Sequence, residues 1–298
     1  MHLLWLGQPE TYDHALVGGK AANLSRLAAD YPVPPGFCLT TAAFEAAWAT
    51  ASHADHLPRA IFGQISQAYR TLSADAGVSD VSVAVRSSAV DEDGDADSFA
   101  GQHETFLNVS GFSAVAEAVW HCWKSAHAAR ALEYRRQRGL STQRVRLAVL
   151  VQRQIASDVS AVVFSANPLT GSRGEVVINA SWGLGESVVG GSVTPDTYVV
   201  RRSDMSLASR QLATKARMTI AIPGGSREVD VPRLLQARPA LNNDQAIEMA
   251  RLAVALEQRM GWPVDVECAY HSGQLYLLQC RPITTLSPRY ADLTRAAA

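Results

Sequence analysis

Pro263-Val264-Asp265-Val266-Glu267-Cys268-Ala269-Tyr270, followed by His271-Ser272-Gly273 and then Gln274-Leu275-Tyr276-Leu277-Leu278-Gln279-Cys280-Arg281-Pro282, reads as two short strands joined by a tight turn. β-Branched and aromatic residues recur in both runs, and Ser-Gly marks the reversal. The hairpin presents Glu267, Gln279 and Arg281. A carboxylate and a side-chain amide oxygen are hard ligands of the kind Mg²⁺ takes beside substrate phosphates, and a guanidinium two residues on can fork onto a phosphate. Read alone, the same residues also suit a solvated hairpin with a surface ion pair. Glu267 and Gln279 can share a metal only if they face the same side. A two-residue loop with regular pairing sets 271 opposite 274 and puts them on opposite faces. The metal reading therefore predicts a three-residue loop, 271–273, with Glu267 diagonal to Gln279 and Gly273 in the left-handed position.

Three further segments point the same way. Val17-Gly18-Gly19-Lys20-Ala21-Ala22-Asn23-Leu24 sets a glycine pair and a lysine at the mouth of a helix, where backbone can approach a phosphate and Lys20 adds a mobile charge. It is not a Walker loop, because G-x-x-x-x-G-K-[ST] does not occur. Val81-Ser82-Val83-Ala84-Val85-Arg86-Ser87-Ser88 alternates, so Arg86 leaves its strand away from the valines. The acidic stretch after it, 89–101, is expected to be a lid over a ligand. Asp93, Asp95, Asp97 and Glu104 there imitate a calcium loop, which Ser98 excludes by standing where the sharp turn needs glycine. Asn179-Ala180-Ser181-Trp182-Gly183-Leu184-Gly185-Glu186 is a strand emptying into a glycine-rich turn, with Glu186 able to reach a ribose hydroxyl or steer a metal.

Together these stretches resemble the nucleotide-binding domain of the phosphoenolpyruvate synthase, pyruvate phosphate dikinase and rifampicin phosphotransferase family. Patterns of the type G-G-K-x-A-N-L, P-V-P-P-G-F, V-R-S-S-A-x-x-E-D, S-F-A-G-Q, D-P-L-T-G, G-L-G-E, T-P-D and Q-x-R-P occur in family order at 18–24, 32–37, 85–93, 98–102, 167–171, 183–186, 194–196 and 279–282. The resemblance implies an α+β, ATP-grasp-like bilobal nucleotide-binding module. It implies that Lys20 and Arg86 hold the ATP phosphates, that Glu267 and Gln279 ligate Mg²⁺ and that Arg281 grips the phosphoryl group in transfer. Glu186 would sit near the ribose or the metal, and Gln152 near the adenine. The expected activity is ATP-dependent transfer of a phosphoryl or pyrophosphoryl group to a histidine on a separate subunit or to a small-molecule acceptor. The alternative is a non-catalytic nucleotide-binding regulatory or scaffold protein.

Departures from the pattern are Asn167 in place of aspartate, Ala161 in place of glycine and Cys268 in place of an aromatic residue. None removes a phosphate or metal group. Family enzymes continue into a phosphohistidine domain and an acceptor domain, neither of which is expected here. Ser52-His53-Ala54 and the segment around His127 echo the phosphohistidine motif, but an alanine-rich chain throws up such echoes by chance. His127 falls in a helical run, where a surface or packing role is expected.

With 298 residues, 47% of them hydrophobic, the chain can bury one or two solid cores. A net charge of −1 leaves no basic footprint for nucleic acid or a membrane surface. No long apolar run or signal peptide is evident. Cysteines 38, 122, 268 and 280 show no metal or redox spacing and suit the reducing cytoplasm. Helices are expected over 20–29, 41–49, 57–76, 112–138 and 243–260, and 201–238 is expected to be irregular or hairpin. The predicted organisation is a first lobe over 1–190 with Lys20 and Arg86, a second over 191–286 with the hairpin, and a tail over 287–298.

Overall fold

A computed structural model describes residues 1–50, 57–90, 104–137, 139–142, 145–284 and 286. The expected lid over 89–101, the calcium-like acids and His53 fall wholly or mainly outside the described residues. The chain divides into two compact units. The first comprises Met1–Gln154 with Ala221–Ser226, and the second Ile155–Ile220 with Arg227–Ala298.

The first unit runs β1 (Leu3–Trp5), α1 (His14–Leu27), β2 (Gly36–Leu39), α2 (Thr41–Thr50), α3 (Arg59–Asp75), β3 (Val83–Ala89), β4 (Thr105–Val109), α4 (Phe112–Ser125), α5 (Ala129–Gln137) and β5 (Leu147–Arg153). Its strands form an antiparallel sheet in the order β1-β2-β5-β3-β4. Alternation divides the sheet into two faces. Phe37, Val85, Val149 and Val151 join Phe44, Ile61, Tyr69 and Trp123 of the helices in one buried cluster. The opposite face carries Cys38, Ala84, Arg86, Ser88, Leu150 and Gln152, as the pairings Cys38–Leu150–Arg86 and Gly36–Gln152–Ala84 require. Helix α1 packs against β3 and β5.

The expected helix over 112–138 is two helices, broken at 126–128. His127 lies in the break, and its ring stacks on Trp48 at 4.0 Å between centroids and on Phe44 at 5.9 Å. Burial, with Arg135 adding to it, pulls the imidazole below its usual range, which agrees with the packing role. The first predicted helix begins earlier, at His14, and is interrupted at Gly18, whose φ of 70° and ψ of 173° are not helical.

The second unit continues with β6 (Val159–Phe164), β7 (Glu175–Trp182), α6 (Glu186–Val189), β8 (Asp196–Arg201), β9 (Ser206–Gln211), β10 (Arg217–Ile222), β11 (Gly225–Asp230), α7 (Arg233–Gln236), α8 (Asn243–Met260), β12 (Val264–His271) and β13 (Gln274–Pro282). Its main sheet is antiparallel in the order β13-β12-β6-β7-β8-β9, and β10 pairs with β11. Because β6 pairs with β12 and β7 with β6, the boundary falls at Gln154, not near residue 190. The stretch expected to be irregular or hairpin supplies β9 and the β10–β11 hairpin, whose turn, 221–226, belongs to the first unit. Helix α8 matches its predicted span. Asn242 and Gln245 form a reciprocal capping box, and Gly261 closes the helix in the left-handed conformation. Its buried Ala246, Met249, Ala250, Ala253 and Leu256 belong to the face that packs on the sheet.

Candidate functional site

In the second unit the hairpin is built differently from the prediction, yet it delivers the predicted pair to one face. The turn has two residues, with His271 opposite Gln274, and both Ser272 (φ 51°) and Gly273 (φ 78°) are left-handed. Two positive φ angles give the turn whose twist matches that of the flanking strands, which a three-residue loop need not do. Asp158 accepts the Ser272 amide at 2.7 Å and so steadies a non-glycine residue in that conformation. The register then shifts between Cys268 and Glu267: Cys268 pairs with Leu277, whereas Glu267 pairs with Gln279. Leu278 is the extra residue of a β-bulge. The bulge restores the phase that the short loop loses, so Glu267 and Gln279 stand directly opposite each other.

The next pair on that face is Asp265 with Arg281. Arg281 Nε donates to Asp265 Oδ2 at 2.9 Å. Asp265 is buried, and its Oδ1 is enclosed without a hydrogen-bond partner among the described residues. Burial pushes this carboxyl above the usual range; Arg281 opposes the shift and the Glu267 charge adds to it. Sequence reasoning did not single out Asp265. Its signal was available, since i and i+2 on a strand share a face and Glu267 was already assigned.

Three oxygen donors share this face: the Glu267 carboxylate, the Gln279 amide and the orphaned Asp265 Oδ1. That set fits a hard divalent cation such as Mg²⁺, which keeps several ligand positions for water and phosphate. No cluster of three or more His, Cys, Asp or Glu residues able to hold a metal occurs among the described residues, and such a cation does not require one.

Glu186 opens α6 and is exposed. The turn before it is fixed by Leu184 N–H donating to Thr219 O at 2.8 Å and by Ser160 Oγ donating to Gly183 O at 2.7 Å. Gly183 has φ 78°, and a Cβ there would lie 2.3 Å from Thr219 O. The glycine therefore serves close approach to β10. Asp196, the last residue of the T-P-D motif, is buried against Lys215, with Nζ to Oδ1 at 2.7 Å. Lys215 had no signal in the sequence, being a single lysine in a polar stretch. Asn167 caps its own loop: Oδ1 accepts from Leu169 N at 3.0 Å and Thr170 N at 3.1 Å, while Nδ2 donates to Glu175 at 3.0 Å. An aspartate there would set a second carboxylate against Glu175, so the departure from the family pattern is accommodated locally.

In the first unit Arg86 and Gln152 share the sheet face on which α1 lies, as the strand pairings fix. Lys20 sits two residues past the break in α1 and is half-buried. Gln152 is buried and donates Nε2 to Pro34 O at 3.1 Å. Gly36 pairs with Gln152, where a Cβ would meet Val151 O at 2.5 Å. The glycine of the P-V-P-P-G-F segment thus lets β2 close on the strand that holds Gln152. A cavity of about 760 Å³ in this unit is lined by residues that include Trp48, His127, Arg135 and Arg146, and by none of the predicted site residues.

The chain belongs to the family of pyruvate phosphate dikinase AMP/ATP-binding domains, whose model matches residues 51–296. It is 35% identical to the phosphoenolpyruvate synthase of Pyrococcus furiosus across 95% of this chain and 44% of that protein. It is 36% identical to the rifampicin phosphotransferase of Streptomyces sviceus across 92% of this chain and 35% of that protein. The chain thus spans less than half the length of these relatives. Among solved structures, D-alanyl-alanine synthetase A of Vibrio cholerae aligns over 90% of this chain and 58% of its own at 14% identity and a TM-score of 0.36. No helix among the described residues is long and apolar enough to cross a membrane.

Proposed function

We propose that this chain is an ATP-grasp-like bilobal module that binds Mg-ATP and donates a phosphoryl or pyrophosphoryl group. The observation that carries the reading is the bulged hairpin, which pairs Glu267 with Gln279 beside Asp265 and Arg281. Lys20 and Arg86 hold the phosphates, Gln152 serves the adenine, and Glu186 serves the ribose or the metal. Glu267 and Gln279 would hold Mg²⁺, which when bound neutralises phosphate charge. Phosphoryl transfer asks a protein chiefly for positioning and charge neutralisation, and these residues supply both without a covalent intermediate of their own. Arg281, oriented by Asp265, meets the group in transfer.

The names of the relatives point to different acceptors, rifampicin in one and a phosphoenolpyruvate-forming reaction in the other. The part of each that this chain matches supports a shared task, the handling of ATP, with the acceptor set elsewhere. We assign the acceptor here to a histidine on a separate subunit or to a small molecule. The test is to supply β-labelled ATP with and without a phosphohistidine protein and to follow label, AMP and ADP. Label on the separate histidine with AMP formed supports the split reading, and ADP that retains the label, formed with a small-molecule acceptor, supports direct transfer. Arg281→Ala should lower turnover far more than ATP affinity, since a charge-assisted contact is worth about 1.5–3 kcal/mol and this one matters most in the transition state. Wild-type turnover by that variant would remove Arg281 from the mechanism.

A further inference from the structure

The turn that carries Lys20 and the strand that carries Arg86 meet at one side chain. We propose that Ser88 is a positioning residue for the phosphate site: without touching the nucleotide, it sets where the Lys20 turn stands relative to Arg86. This rests on the ATP-binding reading above.

Arg86 and Ser88 are two apart on β3 and share the sheet face on which α1 lies. Ser88 is fully buried. Helix α1 is broken at Gly18, so the amides just beyond the break begin a new first turn, where N–H groups have no helical carbonyl behind them. One of these, Ala21 N–H, donates to Ser88 Oγ at 3.2 Å, across 67 residues of sequence. The second anchor is steric. A Cβ on Gly18 would lie 2.1 Å from Ser88 O and 2.6 Å from its Oγ, and the φ of +70° also favours glycine. Ser88 therefore touches the chain on both sides of Lys20, through its backbone at Gly18 and through its hydroxyl at Ala21. Two sequence motifs, the Gly-Gly-Lys turn and the Arg-Ser-Ser strand, are one mechanical unit.

The rival explanation is that this is an ordinary buried hydrogen bond that serves folding only. Cys38 separates the two. It lies on the same sheet face, is fully buried and contacts α1 through Sγ and Val17 O at 3.8 Å, but it does not reach Ala21. Mg-ATP affinity should be measured by calorimetry, and the melting temperature without nucleotide recorded, for wild type, Ser88→Ala, Ser88→Thr, Cys38→Ala and Lys20→Ala. Both Ser88→Ala and Cys38→Ala should melt earlier. Only Ser88→Ala should bind Mg-ATP about five- to tenfold more weakly, the scale of one net hydrogen bond, and Ser88→Thr, which keeps the hydroxyl, should recover most of the loss. Should Ser88→Ala not fold, Ser88→Cys carries the comparison, since a thiol is a weak acceptor of similar volume. Affinity in the Ser88 variant equal to that of Cys38→Ala overturns the proposal. If wild type binds and Lys20→Ala weakens binding while Ser88→Ala does not, the inference alone fails. If wild type binds no Mg-ATP, the functional reading fails and this inference with it.

Discussion

Lys215→Met should be among the most damaging single changes in the second unit. Lys215 Nζ lies 2.7 Å from Asp196 Oδ1 and both side chains are fully buried. The same carboxylate accepts Ala213 N at 2.9 Å and Ala240 N at 2.8 Å, so Asp196 ties three separate stretches of chain together. Removing the lysine leaves a buried carboxylate without its counter-charge, a change that costs about 3–5 kcal/mol. At about 2–4 °C per kcal/mol for a domain of this size, the melting temperature should fall by about 6–20 °C. Adding Asp196→Asn removes the stranded charge and keeps an acceptor for one of the two amides, which bond different oxygens of the carboxylate. The double variant should therefore be more stable than Lys215→Met alone, with a coupling energy of about 2 kcal/mol in the cycle. Urea unfolding of wild type, both single variants and the double variant measures the loss and the coupling. A single variant within about 1 kcal/mol of wild type, or a double variant no better than the single, would refute the reasoning.

Other consequences are as specific. Gly183→Ala should destabilise the second unit and, on the proposed assignment of Glu186, weaken nucleotide binding, because its Cβ would meet backbone at 2.3 Å; unchanged melting would show that the bridge to Thr219 yields easily. Deleting Leu278 regularises the hairpin yet keeps Glu267 opposite Gln279, whereas inserting a glycine after Leu278 rotates Gln279 to the other face; Mg²⁺-dependent nucleotide affinity should survive the first change and not the second, and the reverse order would contradict the role given to the bulge. The Asp265 carboxyl is held above the usual range by burial, so its contribution to stability is present at low pH and is lost as pH rises through that raised value. Asp265→Asn should abolish this component of the stability-against-pH profile, and an unaltered profile would count against it.

Much of the fold around the candidate site was legible because it depends on local pattern. The hairpin strands, the α8 span and, in the first unit, the aim of Arg86 away from the valines follow from periodicity. The loop length was not legible. Alternation counts residues correctly only in a regular ladder, and nothing in Leu277-Leu278-Gln279 marks the bulge that compensates for the short turn. The break at 126–128 was hidden because alanine and its neighbours there are acceptable in a helix. The boundary between units was misplaced because β6 joins the second sheet by pairing with β12, far along the chain, and β7 follows by pairing with β6, which no local signal carries. Lys215 and Ser88 act through contacts of the same long-range kind, and their residue types gave no warning of it.

The central claim is that this chain binds Mg-ATP through Lys20, Arg86, Glu267, Gln279 and Arg281. Titration calorimetry with ATP, in the presence of Mg²⁺ and then with the metal chelated, tests it most directly, run beside Lys20→Ala and a Glu267→Gln variant. The account predicts saturable binding by wild type that weakens on chelation, a marked loss in Lys20→Ala with or without metal, and a loss in Glu267→Gln confined to the Mg²⁺ condition. Absence of heat and of any melting shift at millimolar Mg-ATP, or equal binding by all three proteins, would contradict it.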